Sequence, residues 1–496
     1  MIENLSKSKY CKGVQCHKIL WLDKYKPETK VETARKSVLE NGTKVGLLAK
    51  GLLGKYIDVP YNKDLSIMIN ITNELMKEKP NIITEASFEY NHNFCSVDIL
   101  KNDLDGVELY EVKSSTDISN IYIDDISYQY YVLTKLNLNV KKACLVYMNK
   151  DYIKYGELDI HQLFHIEDVT NIVQSNLKNV EANIESINDF MNTYGQNNEP
   201  NIKLGNYCFK PYLCNYWNYC SKDLPHPNVF DIVRMHYSKK LDYYNSNVIS
   251  FEDLSKQDMN KTYLEQIDFE LNNLKPKINK DAIKKIMDSL VYPLYFIDFE
   301  TFQLAVPEYD GTKPYQQLPF QYSLHIIKDE SSKVKHKEFL AEIDDKDFIR
   351  HFAESMIKDI PDNGSVIIYN KSFEPARLNE IARMYPDLAD ELQRIISQMV
   401  DFLEPFKSRD FYMKEFEGSA SIKKVLPALY PNDSDLDYHA LPVVHNGEEA
   451  SDTFLSLRGK SREEQEKLRN GLLVYCKLDT LAMVKIWQKF KEILEE

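Results

Sequence analysis

The amino-acid sequence predicts an α/β protein with two sheet-containing regions, and three observations lead to this prediction. Apolar residues alternate with polar ones over 82–90, 94–100 and 107–112, which is the pattern of half-buried strands. A new strand pattern begins at residue 292, much later in the chain. Elsewhere apolar residues recur at helical spacing, most extensively over 463–494. We therefore expect a helix-flanked mixed sheet first and a strand meander with helices second.

The elements of the first region can be predicted in order. Residues 1–80 are expected to be mostly helical, and a polar break at 101–106 separates the second and third strands. A helix is predicted over 122–136 and a fourth strand over 142–148. A polar helical segment follows over 160–205, so helices both precede and follow the sheet.

The second region begins with a strand at 292–299, and strands at 320–328 and 334–339 complete a meander. A short apolar strand at 365–369 precedes a helix over 374–384. This helix has a proline in its first turn, a position that tolerates it. The long C-terminal helical pattern then completes the region.

These elements suggest how the 496 residues divide into domains. We expect a first domain at 1–225, a helical connector at 226–289 and a second domain at 290–496. Two prolines at 225–227 mark the first boundary, and the new strand marks the second.

Charge and composition narrow the class of protein. Hydrophobic residues make up 43% of the chain and charged residues 28%, as in ordinary folded proteins. The net charge of −14 argues against adhesion to nucleic acid over the whole surface. Positive charge is concentrated in residues 1–50, which either contact phosphates or form a solvated helix surface.

The sequence also bears on the compartment. Residues 1–10 lack the apolar core of a signal peptide, and no apolar run approaches the ~18 residues of a membrane span. We therefore expect a cytoplasmic protein without membrane association. In that reducing compartment, clustered cysteines bind metal more often than they form disulfides.

A first candidate site combines two acids with a lysine. Asp98 lies inside an apolar strand, and Glu111 and Lys113 share a face of the next strand because side chains alternate. Paired in a hairpin, the two carboxylates can hold Mg²⁺ or Mn²⁺, while Lys113 orients a water and stabilises negative charge. Glu85 and Gln129 could face the same cleft. The alternatives are a surface salt bridge and, for Gln129, a solvated helix position.

Cys208, Cys214 and Cys220 are evenly spaced in an aromatic segment, which is not the setting of ordinary core cysteines. Three thiolates need a fourth ligand to complete a tetrahedral or cubane metal site. Cys16 and Cys11, far away in the sequence, are the candidates for this ligand.

An N-terminal cysteine, an acid-and-lysine motif and three later cysteines together resemble the iron–sulfur RecB-like nucleases. That group includes the CRISPR spacer-acquisition nuclease and the AddB-type recombination nuclease, and the resemblance covers about 1–222. It implies a PD-(D/E)XK restriction-endonuclease-like fold with metal and catalytic places at Asp98, Glu111, Lys113 and Gln129. It also implies a [4Fe–4S] cluster, with zinc as the alternative, on Cys16, Cys208, Cys214 and Cys220.

This sequence departs from that family in two ways. The cysteines are more widely spaced than the usual C-x2-C start. The histidine of an early G-x-x-H motif is also missing, since segment 42–46 contains none.

A second acidic group lies in the second domain. Asp298 and Glu300 share one face of an apolar strand, where adjacent carboxylates repel each other unless a cation lies between them. Tyr475 and Asp479 share a helix face, where a phenol and a carboxylate can position a water and bind metal. The alternatives are a solvated edge strand and an ordinary helix-face pair.

Asp-x-Glu on a strand and Tyr-x3-Asp on a late helix resemble the DnaQ-like exonucleases of the tyrosine subtype, which have an RNase H-like fold. The resemblance covers about 290–490. In that family an aspartate follows an Asn-x-x-Phe pattern, whereas here Glu374 follows segment 370–373. The resemblance implies two metal ions roughly 3.5–4 Å apart. Its metal and catalytic places are Asp298, Glu300, Glu374, Tyr475 and Asp479.

Three further residues could serve the same site. Asp401 is a reserve acid in an apolar segment. Lys423 and Lys424 either contact phosphates or belong to a structural turn.

The two halves together predict a metal-dependent nuclease, and their order resembles a group of predicted bacterial RecB-family nucleases. The expected partner is nucleic acid, with DNA favoured over RNA, and the expected role is repair or mobile-element defence on single strands or ends. The alternatives are a non-catalytic nucleic-acid-binding scaffold with degenerate sites and an RNA-directed exonuclease.

Overall fold

The computed structural model describes residues 4–32, 36–361 and 363–496. The chain folds into two compact units, and both contain helices and sheet. The first unit comprises Met1–Leu224 and Leu304–Tyr315, and the second comprises Pro225–Gln303 and Gln316–Glu496. The protein is therefore mixed α/β, which confirms the predicted fold class at that level.

The first unit is organised around one mixed sheet. Its described strands are β1 (Leu5–Ser6), β2 (Ile57–Asp58), β3 (Ile82–Tyr90), β4 (Asn93–Asp103), β5 (Gly106–Lys113), β6 (Val140–Met148) and β7 (Phe164–Asp168). They lie in the order β2-β3-β4-β5-β6-β7, with β1 beside β4. The neighbours β3, β4 and β5 are antiparallel, whereas β6 runs parallel to β5.

Helices cover both faces of this sheet. Its described helices are α1 (Lys7–Gln15), α2 (His17–Tyr25), α3 (Lys36–Ala49), α4 (Leu65–Glu78), α5 (Asn120–Lys135), α6 (Ile160–Leu163), α7 (Thr170–Thr193) and α8 (Trp217–Cys220). On one face α1, α5 and α7 bury residues such as Tyr10, Ile126 and Val180 in the main core. On the other, α3 buries Val45 and Ala49 in a second core.

One prediction for this unit was wrong. Segment 160–205 was expected to be helical, yet it contains strand β7, which pairs antiparallel with β6. Phe164 and Ile166 alternate with polar residues, but the strand has only five residues and only Phe164 is buried, so the pattern is too short to stand out. Pairing with a sheet edge decides its conformation.

The second unit contains a mixed sheet and a small two-stranded one. Its described strands are β8 (Lys277–Ile278), β9 (Leu294–Phe302), β10 (Leu318–Ile327), β11 (Lys335–Leu340), β12 (Ser365–Ile368), β13 (Met399–Asp401) and β14 (Phe411–Tyr412). The larger sheet has the order β11-β10-β9-β12-β13, and β8 pairs with β14. Strand β10 is antiparallel to β9 and β11, whereas β12 is parallel to both β9 and β13.

The helices of the second unit include those of the predicted connector, 226–289. They are α9 (Tyr237–Asn245), α10 (Phe251–Leu254), α11 (Lys261–Asn272), α12 (Lys280–Asp288), α13 (Phe348–Asp359), α14 (Glu374–Met384), α15 (Ala389–Ser397), α16 (Glu404–Lys407), α17 (Ile422–Leu429), α18 (Gly447–Ser456) and α19 (Arg462–Glu495). Helix α19 begins with a Ser461–Glu464 capping box and packs against β9 and β10. This packing brings its middle turns to the sheet.

The helices were compared with the length and hydropathy that a membrane span requires. Over the described residues, no helix is both long enough and apolar enough to cross a bilayer.

Candidate functional site

A first group of charged residues lines a cleft of about 560 Å³ in the first unit. Strand β4 contributes Asp98, and β5 contributes Glu111 and Lys113. Asp98 Oδ2 accepts a hydrogen bond of 2.7 Å from the backbone N–H of Val112. The antiparallel pairing of the two strands therefore orients this carboxylate.

Glu111 is the centre of the group, and its residue is only 1% exposed. Lys113 Nζ donates to Glu111 Oε1 over 2.7 Å. Gln129 Nε2, from α5, donates to Glu111 Oε2 over 2.7 Å and to Asp125 Oδ1 over 3.2 Å. Gln129 is fully buried, so its interpretation as a solvated helix residue was wrong. The structure brings these residues and Asp98 together in one place.

Two members of this group, Asp125 and Lys7, are not among the predicted residues. Asp125 accepts a hydrogen bond of 2.5 Å from Lys113 and lies one helical turn before Gln129. Lys7, the first residue of α1, places Nζ 2.7 Å from Glu111 Oε1 and 3.9 Å from Asp125 Oδ1. The four-residue spacing between Asp125 and Gln129 could have identified Asp125 from the sequence. No local pattern marks Lys7, because it is 104 positions from Glu111.

The surrounding charges shift the pKa values of the two predicted metal ligands, Asp98 and Glu111, in opposite directions. Burial and the nearby Glu111 carboxylate raise the pKa of Asp98 to about 7. Burial also acts to raise the pKa of Glu111, but the ammonium groups of Lys113 and Lys7 hold it well below its usual range. Glu111 is therefore ionised at neutral pH, whereas Asp98 exchanges a proton there. A bound cation would displace that proton.

Glu85 also lines this cleft, and its backbone departs from regular strand geometry. The pairing of β3 with β4 skips this residue, and its φ of +57° lies in the left-handed region. Its Oε1 lies 3.3 Å from Lys50 Nζ. Gly42 and Gly46 of α3 also line this cleft. The described lining therefore offers carboxylates but no histidine ligand.

The predicted cluster ligands line one cavity of the first unit, namely Cys16, Cys208, Cys214 and Cys220. Cys16 separates α1 from α2, and the other three follow in a loop and the short α8. The main chain of Cys214 donates to that of Cys208 over 2.9 Å, which closes the loop. Cys11, the other candidate ligand, packs against the main core instead.

These thiols lie in a setting that favours a bound cation. Burial first, and then the neighbouring thiols, raise the pKa of Cys208 to about 12. Burial likewise raises the pKa of Cys16, Cys214 and Cys220. Thiolates form under these conditions when a metal ion or cluster supplies positive charge. Four thiols around an apolar cavity therefore fit a thiophilic metal centre.

The acidic group of the second unit lies where α19 packs on β9. Strand β9 presents Asp298 and Glu300, and α19 presents Asp479. One carboxylate oxygen of each lies within 4.8 Å of those of the other two. No other set of three ligating side chains among the described residues is as compact. The three line a cleft of about 250 Å³.

Glu374 enters the same cleft from the start of α14. Its Oε2 is buried and has no hydrogen-bond partner among the described residues. The preceding loop is held by Asp401, which accepts backbone hydrogen bonds from Asn370, Lys371 and Leu403 over 3.0, 2.8 and 2.9 Å. Asp401, the reserve acid, therefore supports the loop that carries Glu374.

Tyr475 lies beside the acidic group and accepts a hydrogen bond of 2.9 Å from Lys423. Tyr438, which was not predicted, donates to Asp479 Oδ1 over 2.7 Å. No short motif marks Tyr438, since it is 41 residues from its partner. Lys424 pairs with Glu417 over 2.6 Å outside this cleft. Of the two lysines, Lys423 is the one at the site.

The acidic group is short of positive charge. Burial and the Asp479 carboxylate raise the pKa of Glu300 to about 8. Burial likewise raises the pKa of Asp479 to about 6 and that of Glu374 to about 7. Burial and the three neighbouring carboxylates raise the pKa of Asp298 well above its usual range. A divalent cation would relieve this repulsion, and the unpartnered oxygen of Glu374 fits a ligand role.

Comparison with family models gives a match over part of the second unit. Residues 295–421 match the family described as Domain of unknown function (DUF2779). The matched stretch includes Asp298, Glu300 and Glu374, and it ends before Tyr475 and Asp479.

Similar curated proteins come from mycoplasmas and a ureaplasma. Uncharacterized protein UU173 of Ureaplasma parvum is 29% identical over 264 residues, which cover 49% of this chain and 38% of that protein. The uncharacterized MG366 homolog of Mycoplasma pneumoniae is 28% identical over 231 residues, which cover 43% and 34%. The chain thus spans little more than a third of the length of these relatives. No solved structure matches the chain.

Proposed function

We propose that this chain is a metal-dependent nuclease that hydrolyses phosphodiester bonds at two sites. The observation that carries the proposal is the compact group of Asp298, Glu300 and Asp479, whose oxygens lie within 4.8 Å of one another. Buried carboxylates at this spacing are stable when a hard cation neutralises them. Without a cation, the two acids on one face of the mostly apolar β9 would have no stabilising role.

The residues of the second site have distinct roles in this proposal. Asp298, Glu300 and Asp479 would hold Mg²⁺ or Mn²⁺, and Glu374 would complete the ligand set. The bound ion supplies a low-pKa water and neutralises charge on the reacting phosphate. Tyr475 would position that water by hydrogen bonding. The predicted product is a mononucleotide released from a 3′ end, by analogy with the DnaQ-like family.

The connectivity of the second unit supports this assignment. Numbered along the larger sheet, the strands run third, second, first, fourth and fifth, with the second antiparallel to the others. This strand order supports the RNase H-like fold that the resemblance implies. It sets the Asp-x-Glu strand at the centre of the sheet, where α19 can reach it.

The first unit supports a PD-(D/E)XK assignment in the same manner. Its core sequence of elements is α4-β3-β4-β5-α5-β6, with an antiparallel meander followed by a parallel strand. Asp98 and Glu111 would hold a divalent ion there, and Lys113 would stabilise charge on the phosphate. Gln129 would fix the orientation of Glu111 through its 2.7 Å hydrogen bond.

We propose an iron–sulfur cluster for the four cysteines. Four cysteine thiols at one cavity are the ligand number of both a [4Fe–4S] cluster and a structural zinc ion. The resemblance to the iron–sulfur RecB-like nucleases favours the cluster, and zinc is the alternative. These cysteines, all of them within the described residues, form no disulfide, which also fits a reducing, cytoplasmic setting.

The test is digestion of end-labelled single-stranded DNA with Mn²⁺ or Mg²⁺ by the wild type, Asp298→Asn and Lys113→Ala. We expect Asp298→Asn to lose mononucleotide release. We expect Lys113→Ala to keep that release and to lose the cleavage that occurs at the first site. Asp288→Asn and Lys77→Ala, which alter exposed ion pairs, are the matched controls. If the wild type cleaves neither DNA nor RNA, the chain is a binding scaffold. Cleavage of RNA alone would reassign the substrate.

A further inference from the structure

Lys7 occupies the middle of the first site although it lies far from the motif residues in sequence. Its Nζ is 2.7 Å from Glu111 Oε1 and 3.9 Å from oxygens of both Asp98 and Asp125. Lys113 Nζ lies at the same distance, 2.7 Å, from the same Glu111 oxygen. Two ammonium groups therefore converge on one buried carboxylate oxygen.

The backbone around Lys7 is fixed from several directions. The preceding residues form β1, which pairs with the start of β4, and Tyr128 donates a hydrogen bond to the carbonyl of Leu5. Ser6 caps α1 by accepting from the backbone N–H of Lys9. These contacts fix the position of Lys7 within the first unit.

Helix α1 leads from Lys7 to the cysteine cavity. It spans nine residues, about 13 Å at 1.5 Å per residue, and Cys16 is its C-cap. The last residue, Gln15, donates to the carbonyls of Tyr207 and Tyr212 in the cysteine loop over 2.8 and 2.9 Å. Two residues earlier, in the same last turn, Gly13 packs so closely on α7 that an added Cβ would lie 2.5 Å from Ile187. The helix is therefore held at both ends.

The formal charges of the site indicate what Lys7 contributes. Asp98, Glu111 and Asp125 carry three negative charges when ionised, and Lys113 and a divalent ion together supply three positive charges. Lys7 then leaves one positive charge, which matches the single negative charge of a phosphodiester. A site with Lys113 alone would be neutral toward its substrate.

We propose that Lys7 is a second phosphate-binding lysine of the first site and that the cysteine centre holds it there through α1. The proposal rests on the proposed nuclease function. It assigns the first site a polyanionic, phosphodiester substrate that is bound by two lysines. Loading of the cysteine centre would then be required for substrate binding at a site one helix away.

Lys7→Gln and Lys7→Arg test the first part in the full chain, with Asp298→Asn present so that only the first site acts. Lys9→Gln, on an exposed residue of the same helix, is the matched control. With saturating Mn²⁺, we expect Lys7→Gln to cut single-turnover cleavage by about 100-fold and Lys7→Arg to recover much of it. Binding of a labelled oligonucleotide in Ca²⁺, measured by anisotropy, should weaken at least tenfold in Lys7→Gln.

The outcomes separate this proposal from the nuclease function. If the Asp298→Asn parent does not cleave, the proposed first activity fails. If the parent cleaves and Lys7→Gln cleaves and binds as well as Lys9→Gln does, Lys7 is only a structural counter-ion and the proposal is overturned. An equal loss in Lys7→Arg and Lys7→Gln, with unchanged oligonucleotide binding, would overturn it as well.

The second part is tested by hydrogen exchange and by a double-variant comparison. Amide exchange over Lys7–Gln15 should slow when the purified protein is reconstituted with iron and sulfide. Gln15→Ala removes both hydrogen bonds to the loop but keeps all four thiols, so it serves where a cysteine variant does not fold. It should weaken oligonucleotide binding, and adding Lys7→Gln should weaken it little further. Additive losses, or exchange unaffected by loading, would show that the cysteine centre does not position Lys7.

Discussion

Tyr438 donates a 2.7 Å hydrogen bond to Oδ1 of Asp479, the carboxylate that α19 contributes to the second site. Both residues are buried. The bond fixes the rotation of the carboxylate and commits one lone pair of Oδ1. A residue outside the predicted motifs therefore orients a proposed metal ligand.

Tyr438→Phe should weaken metal binding at the second site. The variant keeps the ring and loses only the donor, so Asp479 can rotate and is more easily protonated. We expect about 10-fold more Mn²⁺ to be needed for half-maximal mononucleotide release. Tyr430→Phe removes a comparable bond to the carbonyl of Lys485 and is the control. Equal Mn²⁺ dependence in both variants would contradict the role given to Tyr438.

The pH dependence of the metal-free second unit has a defined sign. Glu300 has its pKa raised from 4.5 to about 8, so the folded state keeps a proton that the unfolded state loses. The resulting stability is fully present below pH 4.5 and is lost as pH rises through about 8. In chelator, we expect a lower melting temperature at pH 8 than at pH 6. Asp298→Asn should reduce this difference, because it removes one repelling carboxylate.

Mn²⁺ should reverse that trend. The ion binds ionised carboxylates and therefore displaces protons, so its affinity should increase between pH 6 and 8. Calorimetry in two buffers of different ionisation enthalpy would measure the protons released. Binding without proton release at pH 6 would mean that these carboxylates are already ionised.

Asp401→Ala should destabilise the second unit and impair its site. The carboxylate accepts backbone hydrogen bonds from Asn370, Lys371 and Leu403, and Asn370 has a φ of +112°. We expect the free energy of unfolding to fall by about 2–4 kcal/mol, measured in denaturant. Asp401→Asn keeps an acceptor and should lose less. Equal stability of Asp401→Ala and the wild type would show that the loop holds itself.

Cys16→Ala and Cys11→Ala should behave differently. Cys16 lines the cavity with the other three cysteines, whereas Cys11 packs against the main core. Anaerobic preparations of the wild type and of Cys11→Ala should contain iron and absorb in the visible, and Cys16→Ala should lose both properties. Stoichiometric zinc without iron in the wild type would replace the cluster with a zinc site.

The sequence was informative where one strand or helix carries a complete local signal. Alternation predicted 82–90, which is β3, and apolar spacing predicted 374–384, which is α14. It also placed Asp298 and Glu300 on one face. Periodicity could not predict β13 or β14, because strands of two or three residues are too short to show a period.

The members of each site that were missed have a common cause. Lys7 and Tyr438 reach their partners across 104 and 41 residues, and only tertiary packing brings them together. Conversely, Asp401 has the sequence setting of a site acid but is occupied by backbone N–H groups. Sequence patterns identify chemical groups, whereas hydrogen bonding decides which of them remain available.

The segment Leu304–Tyr315 belongs to the first unit although it follows β9 of the second. Its Ala305 and Val306 are buried in the core that contains Val45 and Ala49. A fragment that ends near residue 225 would therefore lack part of its own interior and expose an apolar surface. Truncating the gene at one point yields neither unit alone and complete. Each proposed site is better tested by point substitution in the intact polypeptide.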